Sequence, residues 1–188
     1  MENANQNQNV SSDIKFINPQ AIIDQLEIAE GAVVADFGCG TGYFVFPLAK
    51  KVGETGIVYA LDVLAPKLEA IESQAKLSGI TNVVVKRVNL EKDGGSKLEN
   101  SSVDWVILSN MLFQNQHKDV IIREAARVLK PSGKALVIEW NKEDSSMGPQ
   151  HDLKISKEEA MELGQKNGLG LLREIAVSDF HYGLILTK

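Results

Sequence analysis

Three glycines alternate with other residues in one short segment, at Gly38, Gly40 and Gly42. They follow an apolar run, residues 33–37, whose length and composition are typical of a buried parallel strand. Because glycine has no Cβ, a loop of this kind lets the backbone approach a ligand closely. Asp36 stands two residues before the first glycine, and its carboxylate would attract a cationic group held at the loop. The segment therefore predicts a ligand-binding loop that prefers positive charge.

The spacing of these glycines differs from that of the dinucleotide fingerprint G-x-G-x-x-G, which requires a third glycine where this sequence has Tyr43. A pyrophosphate resting on this turn would also be repelled by Asp36. A ligand that carries an ammonium or a sulfonium group would be favoured instead, and S-adenosylmethionine carries both. The loop thus favours S-adenosylmethionine, and an NAD-dependent oxidoreductase stays open as an alternative.

A second acidic residue, Asp62, ends the next apolar run. Its spacing from Gly38 is close to the roughly 20 residues that separate the glycine loop from the ribose-binding acid in dinucleotide folds. A carboxylate there accepts paired hydrogen bonds from ribose hydroxyls. Val63 and Leu64 are expected to flank the adenine, Asn89 to hydrogen-bond its edge and Leu90 to pack beside it. These features predict adenosine binding, which NAD and S-adenosylmethionine share.

Every predicted parallel strand carries a polar residue at or just beyond its carboxyl end. This set comprises Asp36, Asp62, Asn89, Ser109, Asn110, Glu139 and Asn141, with Trp140 between the last two. Ligands of doubly wound sheets bind outside the carboxyl ends of the strands, so the site is predicted at this rim. The predicted cofactor site comprises Asp36, Gly38, Cys39, Gly40, Asp62, Val63, Asn89, Leu90 and Ser109. The predicted acceptor contacts are Asn110, Trp140 and His151.

No residue is an unambiguous general base. Glu139, His181 and Tyr182 are further candidates to face an acceptor, and a structural role is open for each of them. Cys39 lies within the glycine loop, a position that indicates packing rather than nucleophilic attack. The catalytic residues are therefore left unassigned.

The elements that position these residues alternate along the chain. Apolar runs predict strands at 33–37, 57–61, 83–88, 104–108 and 135–139, followed by two β-rich runs at 171–177 and 182–187. Helical spacing is found at 44–52, 66–77 and 120–129, and Ser156 with Glu159 forms a capping-box pattern that opens a last helix. A first helix is predicted to begin at Asn18-Pro19 and to end at Gly31. Strand–helix alternation followed by a hairpin indicates one doubly wound α/β sheet.

Length and composition limit the alternatives. The chain of 188 residues is predicted to form one domain over 16–188, preceded by a disordered Asn- and Gln-rich tail over 1–15. A formal net charge of −5 disfavours a phosphate-binding surface, so no nucleic acid partner is expected. With one cysteine and three histidines that lack ligand spacing, no metal is expected. The apolar runs are too short to span a bilayer and no signal segment is recognised, so the prediction is a cytoplasmic protein without membrane contact.

The segment from Val33 to Gly42 resembles the signature of class I S-adenosylmethionine-dependent methyltransferases. The resemblance continues through 60–62, 104–110 and 127–134 and covers nearly all of the chain after residue 16. It implies a cofactor site that uses Asp36, Gly38, Gly40, Asp62 and Asn89. It also implies an α/β fold with a Rossmann-like, doubly wound sheet of seven strands, mostly parallel with an antiparallel last strand, and helices on both faces.

Within that family the chain is most similar to a small stand-alone subgroup, close to the cores of quinone-biosynthesis and arsenite methyltransferases. Arsenite methyltransferases need several thiols, whereas Cys39 is the single cysteine here. The resemblance implies in-line transfer of a methyl group from S-adenosylmethionine to a small or medium-sized organic acceptor. A non-catalytic S-adenosylmethionine-binding module is the other alternative. A homodimer or a partner protein is a possible way to complete the acceptor pocket.

Overall fold

Seven strands form one mixed sheet in the computed structural model, which describes residues 15–142 and 147–188. The strands are β1 Val33–Phe37, β2 Ile57–Asp62, β3 Val83–Arg87, β4 Val103–Ser109, β5 Leu129–Trp140, β6 Gly170–Ser178 and β7 His181–Thr187. The helices are α1 Pro19–Ile23, α2 Val45–Val52, α3 Ala65–Leu77, α4 Lys118–Val128 and α5 Lys157–Lys166, with a short 3-10 helix at His151–Leu153. Apart from Lys15, the predicted disordered tail lies outside the described residues.

The strand order is β3-β2-β1-β4-β5-β7-β6. β1 to β5 are all parallel to one another, whereas β7 runs antiparallel to both β5 and β6. This confirms the predicted seven-stranded, mostly parallel sheet with an antiparallel last strand, and the predicted hairpin of the last two strands. The order reverses between β1 and β4, so the carboxyl ends of these two strands flank the switch point at which such folds bind ligands.

The two faces of the sheet are covered by different helices. Buried apolar residues of α1, α2 and α3, such as Ile22, Leu48 and Ile71, pack on one face. Those of α4 and α5, such as Ile121 and Ala160, pack on the other. This arrangement confirms the doubly wound prediction. No helix in the described part of the chain combines the length and the hydropathy of a membrane span.

The first helix begins as predicted but ends much earlier than Gly31. Asn18 caps it by accepting the backbone N–H of Ala21 at 3.1 Å, and Pro19 opens it. It then stops at Ile23, where turn bonds replace helical ones. The Gln25 side chain donates to the carbonyl of Ala176 in β6 at 2.9 Å, which ties this segment to the sheet edge. A contact between segments so distant in sequence overrides the helical periodicity.

The fifth strand is longer than the predicted 135–139. Its first part, from Leu129, contains the Pro131-Ser132-Gly133 turn, and Ser132 has a left-handed backbone with φ of +63°. The register with β4 shifts across this turn, because Val103 pairs with Leu129 and Trp105 with Lys134. The turn is thus a bulge inside the strand and joins α4 directly to the sheet.

Candidate functional site

Asp62 lies between the glycine loop and the start of α3. Its Oδ2 accepts the backbone N–H of Gly40 at 3.0 Å, and its Oδ1 accepts that of Leu64 at 2.9 Å. The residue is only 7% exposed, yet it lines a surface cleft. Each carboxylate oxygen can accept a second hydrogen bond. Asp62 is therefore a fixed acceptor that can receive paired donors from a ligand in the cleft.

The cleft has a volume of about 250 Å³. Five of the predicted cofactor residues line it: Gly38, Asp62, Val63, Asn89 and Leu90. Leu64, which is predicted with Val63 to flank the adenine, also lines the cleft. The remaining lining residues were not predicted as cofactor contacts: Lys67, Val88, Glu91, Met111, Gln114 and Asn115. Val63 and Leu64 are 51% and 49% exposed, which is unusual for large apolar side chains and gives the cleft an apolar edge that a planar ring can cover.

The glycine loop needs glycine for two different reasons. Gly38 has φ of +74°, and a Cβ built there would lie 3.3 Å from the Met111 side chain. Gly40 has φ of +55°, and a Cβ there would meet no atom within 4 Å. Gly38 is thus packed against the protein, whereas Gly40 presents a bare backbone to open space. This arrangement suits close approach of a ligand at Gly40.

Two predicted loop residues lie beneath this surface. Asp36 is 3% exposed, and its pKa is raised to about 7 by burial and by the neighbouring carboxylate of Asp62. Cys39 is also buried, and burial raises the pKa of its thiol well above its usual range. A protonated, buried thiol agrees with a packing role. Asp36 and Asp62 together give this end of the cleft a potential that favours a cationic ligand.

The two walls of the cleft are tied together by Glu91. Its Oε1 accepts the backbone N–H groups of Gln116 and His117, both at 2.8 Å, which links the segment after β3 to the segment after β4. Asn89 accepts the N–H of Glu91 at 3.0 Å through its side-chain oxygen. The amide nitrogen of Asn89 is therefore the group that this side chain can offer to an adenine edge.

At the other end of the rim, Asn110 and Trp140 come together through His181. The Nδ2 of Asn110 lies 3.2 Å from Nε2 of His181, and the rings of Trp140 and His181 have centroids 4.0 Å apart. Ser109 ends β4 beside this cluster and does not line the cleft. His151 has a largely exposed side chain, and its contact to Asp152 is 3.4 Å. Among the described residues, no hydrogen bond, ion pair or ring contact joins His151 to Asn110 or Trp140.

Glu139 and Tyr182 lie on the opposite face of the sheet from His181. Glu139 is fully buried and accepts the backbone N–H of Leu112 at 2.6 Å, and burial raises its pKa to about 7. The Tyr182 hydroxyl donates to the carbonyls of Ile155 and Ser156, at 3.2 and 3.3 Å. Tyr182 thus has a structural role, whereas Glu139 holds the segment after β4 that contains Met111.

Comparison with known proteins agrees with this geometry. The profile of a family described as a methyltransferase domain matches residues 28–174. An arsenite methyltransferase from Aquipseudomonas alcaligenes is 30% identical over 110 residues, which are 56% of this chain and 32% of that protein. A ubiquinone/menaquinone biosynthesis C-methyltransferase from Haemophilus ducreyi is 31% identical over 121 residues, 64% of this chain and 46% of that protein. The chain thus spans between about a third and a half of the length of these curated relatives.

The fold has a similar counterpart among solved structures. The crystal structure of an S-adenosylmethionine-dependent methyltransferase from Aquifex aeolicus superimposes with a TM-score of 0.83 at 26% identity, covering 92% of this chain and 90% of the other. The family match extends over most of the sheet and includes the glycine loop, Asp62 and the segment after β4. On this evidence the chain belongs to the class I S-adenosylmethionine-dependent methyltransferases.

Proposed function

We propose that this chain transfers the methyl group of S-adenosylmethionine to a small or medium-sized organic acceptor. The observation that carries the proposal is the position of Asp62, which is fixed by Gly40 and Leu64 and opens onto the cleft. An acceptor of paired hydrogen bonds beside a bare glycine backbone is the arrangement that a ribose next to an aminoacyl chain requires.

The described residues fit three parts of this cofactor, namely the ribose, the adenine, and the aminoacyl end with its sulfonium. Asp62 would hold the ribose hydroxyls, Val63 with Leu64 would cover the adenine, and Asn89 would offer its amide nitrogen to the adenine edge. The Gly40 backbone and the buried Asp36 would face the aminoacyl and sulfonium end. NAD fits less well, because its pyrophosphate would face the two carboxylates of Asp36 and Asp62.

Bound S-adenosylmethionine would supply a methyl group on a positively charged sulfur, which is a good leaving group for in-line displacement. The protein then has to align an acceptor with that methyl group and exclude water. We assign the acceptor side to the rim at Asn110 and Trp140, with His151 as a further contact from the segment that follows residue 147. We place the reaction in the cytoplasm, where a free thiol such as that of Cys39 persists.

The proposal is tested by calorimetric titration with S-adenosylmethionine, S-adenosylhomocysteine and NADH. We expect both adenosyl ligands to bind and NADH not to bind. The Asp62→Ala variant should lose at least about tenfold in affinity, since hydrogen bonds to a charged group are removed. Asp93→Ala is the matched control, because Asp93 is an exposed aspartate that pairs with Arg123, and neither residue lines the cleft.

Binding of NADH alone, or equal affinity of the native protein and Asp62→Ala, would contradict the proposed cofactor site. Methyl transfer is then tested by release of S-adenosylhomocysteine in a screen of small acceptors. Tight binding without turnover on any acceptor would favour the alternative of a non-catalytic binding module.

A further inference from the structure

The segment between β4 and α4, residues 110–117, forms one wall of the cofactor cleft and contains turns but no helix or strand. Its cleft-lining residues are Met111, Gln114 and Asn115. Because the segment lies outside the regular elements, other groups must bond its backbone. The side chain of Glu91 does so from the opposite wall, by accepting the N–H groups of Gln116 and His117, both at 2.8 Å. The position of this wall therefore depends on Glu91.

Glu91 is the direct polar link between the two walls. It lines the cleft itself, and its own N–H donates to Oδ1 of Asn89 at 3.0 Å, which fixes it just beyond the end of β3. Within the described part of the chain, no other hydrogen bond or ion pair joins residues 88–91 to residues 110–117. Loss of the Glu91 carboxylate should therefore free the second wall without removing any other polar contact between the two.

Asn115 brings a hydrogen-bond acceptor to the second wall. Its Nδ2 donates to the carbonyl of Met111 at 2.7 Å, and because a carbonyl can only accept, this bond fixes the orientation of the amide. Its Oδ1 has no hydrogen-bond partner in the described part of the chain. Unlike the unpaired oxygens of Asn110 and Glu139, this oxygen is not shielded from solvent. Since Asn115 lines the cleft, a ligand there can reach it.

Asn89 supplies the complementary group from the first wall. Its Oδ1 accepts from Glu91, so its Nδ2 is the group left for a ligand. The cleft thus offers an amide donor on one wall and an amide acceptor on the other. Adenine presents a ring nitrogen that accepts and a 6-amino group that donates, whereas a 6-oxopurine presents an acceptor at position 6. The two amides therefore match a 6-aminopurine and not a 6-oxopurine.

We propose that Asn115 accepts a hydrogen bond from the 6-amino group of the adenine, and that Glu91 is the positioning residue that holds Asn115 for this contact. The inference rests on the proposed function and deepens it, because it assigns the base selectivity of the cofactor site to residues that span the cleft. A 6-oxopurine would place its oxygen against Oδ1 of Asn115 and leave both oxygens without a donor, so it is disfavoured.

The test compares S-adenosylhomocysteine with S-inosylhomocysteine, which carries an oxygen in place of the 6-amino group. Both are titrated by calorimetry into the native protein, and we expect the adenosyl ligand to bind at least about tenfold more tightly. Asn115→Ala should reduce this preference at least about fivefold, because the oxygen that distinguishes the two ligands is gone. Asn100→Ala is the matched control, since Asn100 pairs with Arg127 and neither residue lines the cleft.

Substitutions of Glu91 separate positioning from general stability. Glu91→Gln keeps an oxygen that can accept the two N–H groups and should keep the preference. Glu91→Ala should reduce it as Asn115→Ala does, and the double variant should reduce it no further than either single variant. A residue that acts only through stability would weaken both ligands equally and leave the preference unchanged. Glu72→Ala, on the exposed side of α3, is the control for removal of a carboxylate, and urea unfolding checks that each variant is folded.

Equal affinity of the native protein for the two ligands, or an unchanged preference in Asn115→Ala, overturns the contact with Asn115. An unchanged preference in Glu91→Ala, or a loss in Glu91→Gln as large as that in Glu91→Ala, overturns the positioning role of Glu91. If the cofactor assignment itself failed, neither ligand would bind the native protein. If only methyl transfer failed, the preference and its dependence on Asn115 would remain while no acceptor gave turnover.

Discussion

The Oδ2 atom of Asp62 lies 3.0 Å from the backbone nitrogen of Gly40 and accepts its N–H. The residue expected to hold the ribose therefore also fixes the glycine loop that faces the rest of the cofactor. A substitution of Asp62 or Gly40 should therefore change both ligand binding and the stability of the glycine loop. A test of the site has to measure these two effects separately.

A substitution at Gly40 makes this separation possible. Gly40 has φ of +55°, and a Cβ there would meet no protein atom within 4 Å. Gly79 is similar, with φ of +66° and open space around its Cα. Neither glycine lines the cleft, but Gly40 donates its N–H to Asp62, which does, whereas Gly79 follows the end of α3. Gly40→Ala and Gly79→Ala should each lower the free energy of unfolding by about 1 kcal/mol, measured with urea. In calorimetry, Gly40→Ala alone should weaken S-adenosylhomocysteine binding.

A larger stability loss is expected at Gly42, where a Cβ would lie 2.9 Å from the ring of Phe46 and 3.1 Å from Ile71. Gly42→Ala thus reports on packing beneath the loop. Normal affinity in Gly40→Ala, or equally weakened affinity in Gly79→Ala, would show that ligand does not approach the Gly40 backbone.

The residues of the site that sequence predicts are those for which the position at a strand end is sufficient. Asp62 ends β2 and Asn89 follows β3, its parallel neighbour, so their meeting at one rim follows from the fold. Lys67, Glu91 and Gln114 also line the cleft, but they lie in a helix and in loops, where polar residues are common. Nothing in their sequence pattern shows which side chains turn towards the cleft.

The same limit applies to the fold. The sheet follows from apolar runs and their order, because the local pattern of apolar residues is enough to identify each strand. The early end of α1 depends on a hydrogen bond between Gln25 and Ala176, which the local pattern cannot contain. His181 could be identified as a candidate from its residue type, but its pairing with Asn110 depends on the hairpin that places β7 beside β5.

Binding of the cofactor should release a proton from Asp36 at slightly acidic pH. In the free protein, burial and the Asp62 carboxylate raise the pKa of Asp36 to about 7. A cationic ligand beside it lowers that pKa, so binding below pH 7 favours loss of the proton. The affinity for S-adenosylmethionine should therefore rise with pH, by at most about tenfold per unit, and level off above about pH 7.

This linkage is measured by calorimetry at several pH values in two buffers with different heats of ionisation. Asp36→Asn has no proton to release and should show an affinity that is independent of pH over the same range. Proton uptake by the native protein, or an unchanged pH dependence in Asp36→Asn, would contradict the assignment.

Glu139 should make the protein less stable as pH rises. Burial raises its pKa from 4.5 to about 7, so the folded state holds this proton more tightly than the unfolded state does. Its contribution to stability is present in full below about pH 4.5 and is lost as pH rises to about 7, at up to about 1.4 kcal/mol per pH unit. Glu139→Gln keeps an oxygen that can accept the N–H of Leu112. The variant should match the native protein near pH 5 and exceed its free energy of unfolding at pH 8.

Urea unfolding between pH 4.5 and pH 8 gives this comparison, and Glu72→Gln, on the exposed side of α3, is the control for the same chemical change. If Glu139→Gln followed the native curve at every pH, ionisation of Glu139 would not contribute to the pH dependence of stability.

The strongest single destabilisation is expected from Arg127. Its Nη2 lies 2.7 Å from Oε1 of Glu124, its Nε lies 2.8 Å from Oε2, and Glu124 is 2% exposed. Arg127→Met leaves a buried carboxylate without its partner, which should cost about 3–5 kcal/mol of unfolding free energy. Arg123→Met is the control on the same helix, because the Arg123 ion pairs are more exposed and are worth at most about 1 kcal/mol.

The double variant Arg127→Met with Glu124→Met removes the unpaired charge as well and should be more stable than Arg127→Met alone. Glu124 also accepts the backbone N–H of Ser96 at 2.9 Å. A double variant that is less stable than Arg127→Met would mean that this hydrogen bond stabilises the fold by more than burial of the Glu124 carboxylate costs.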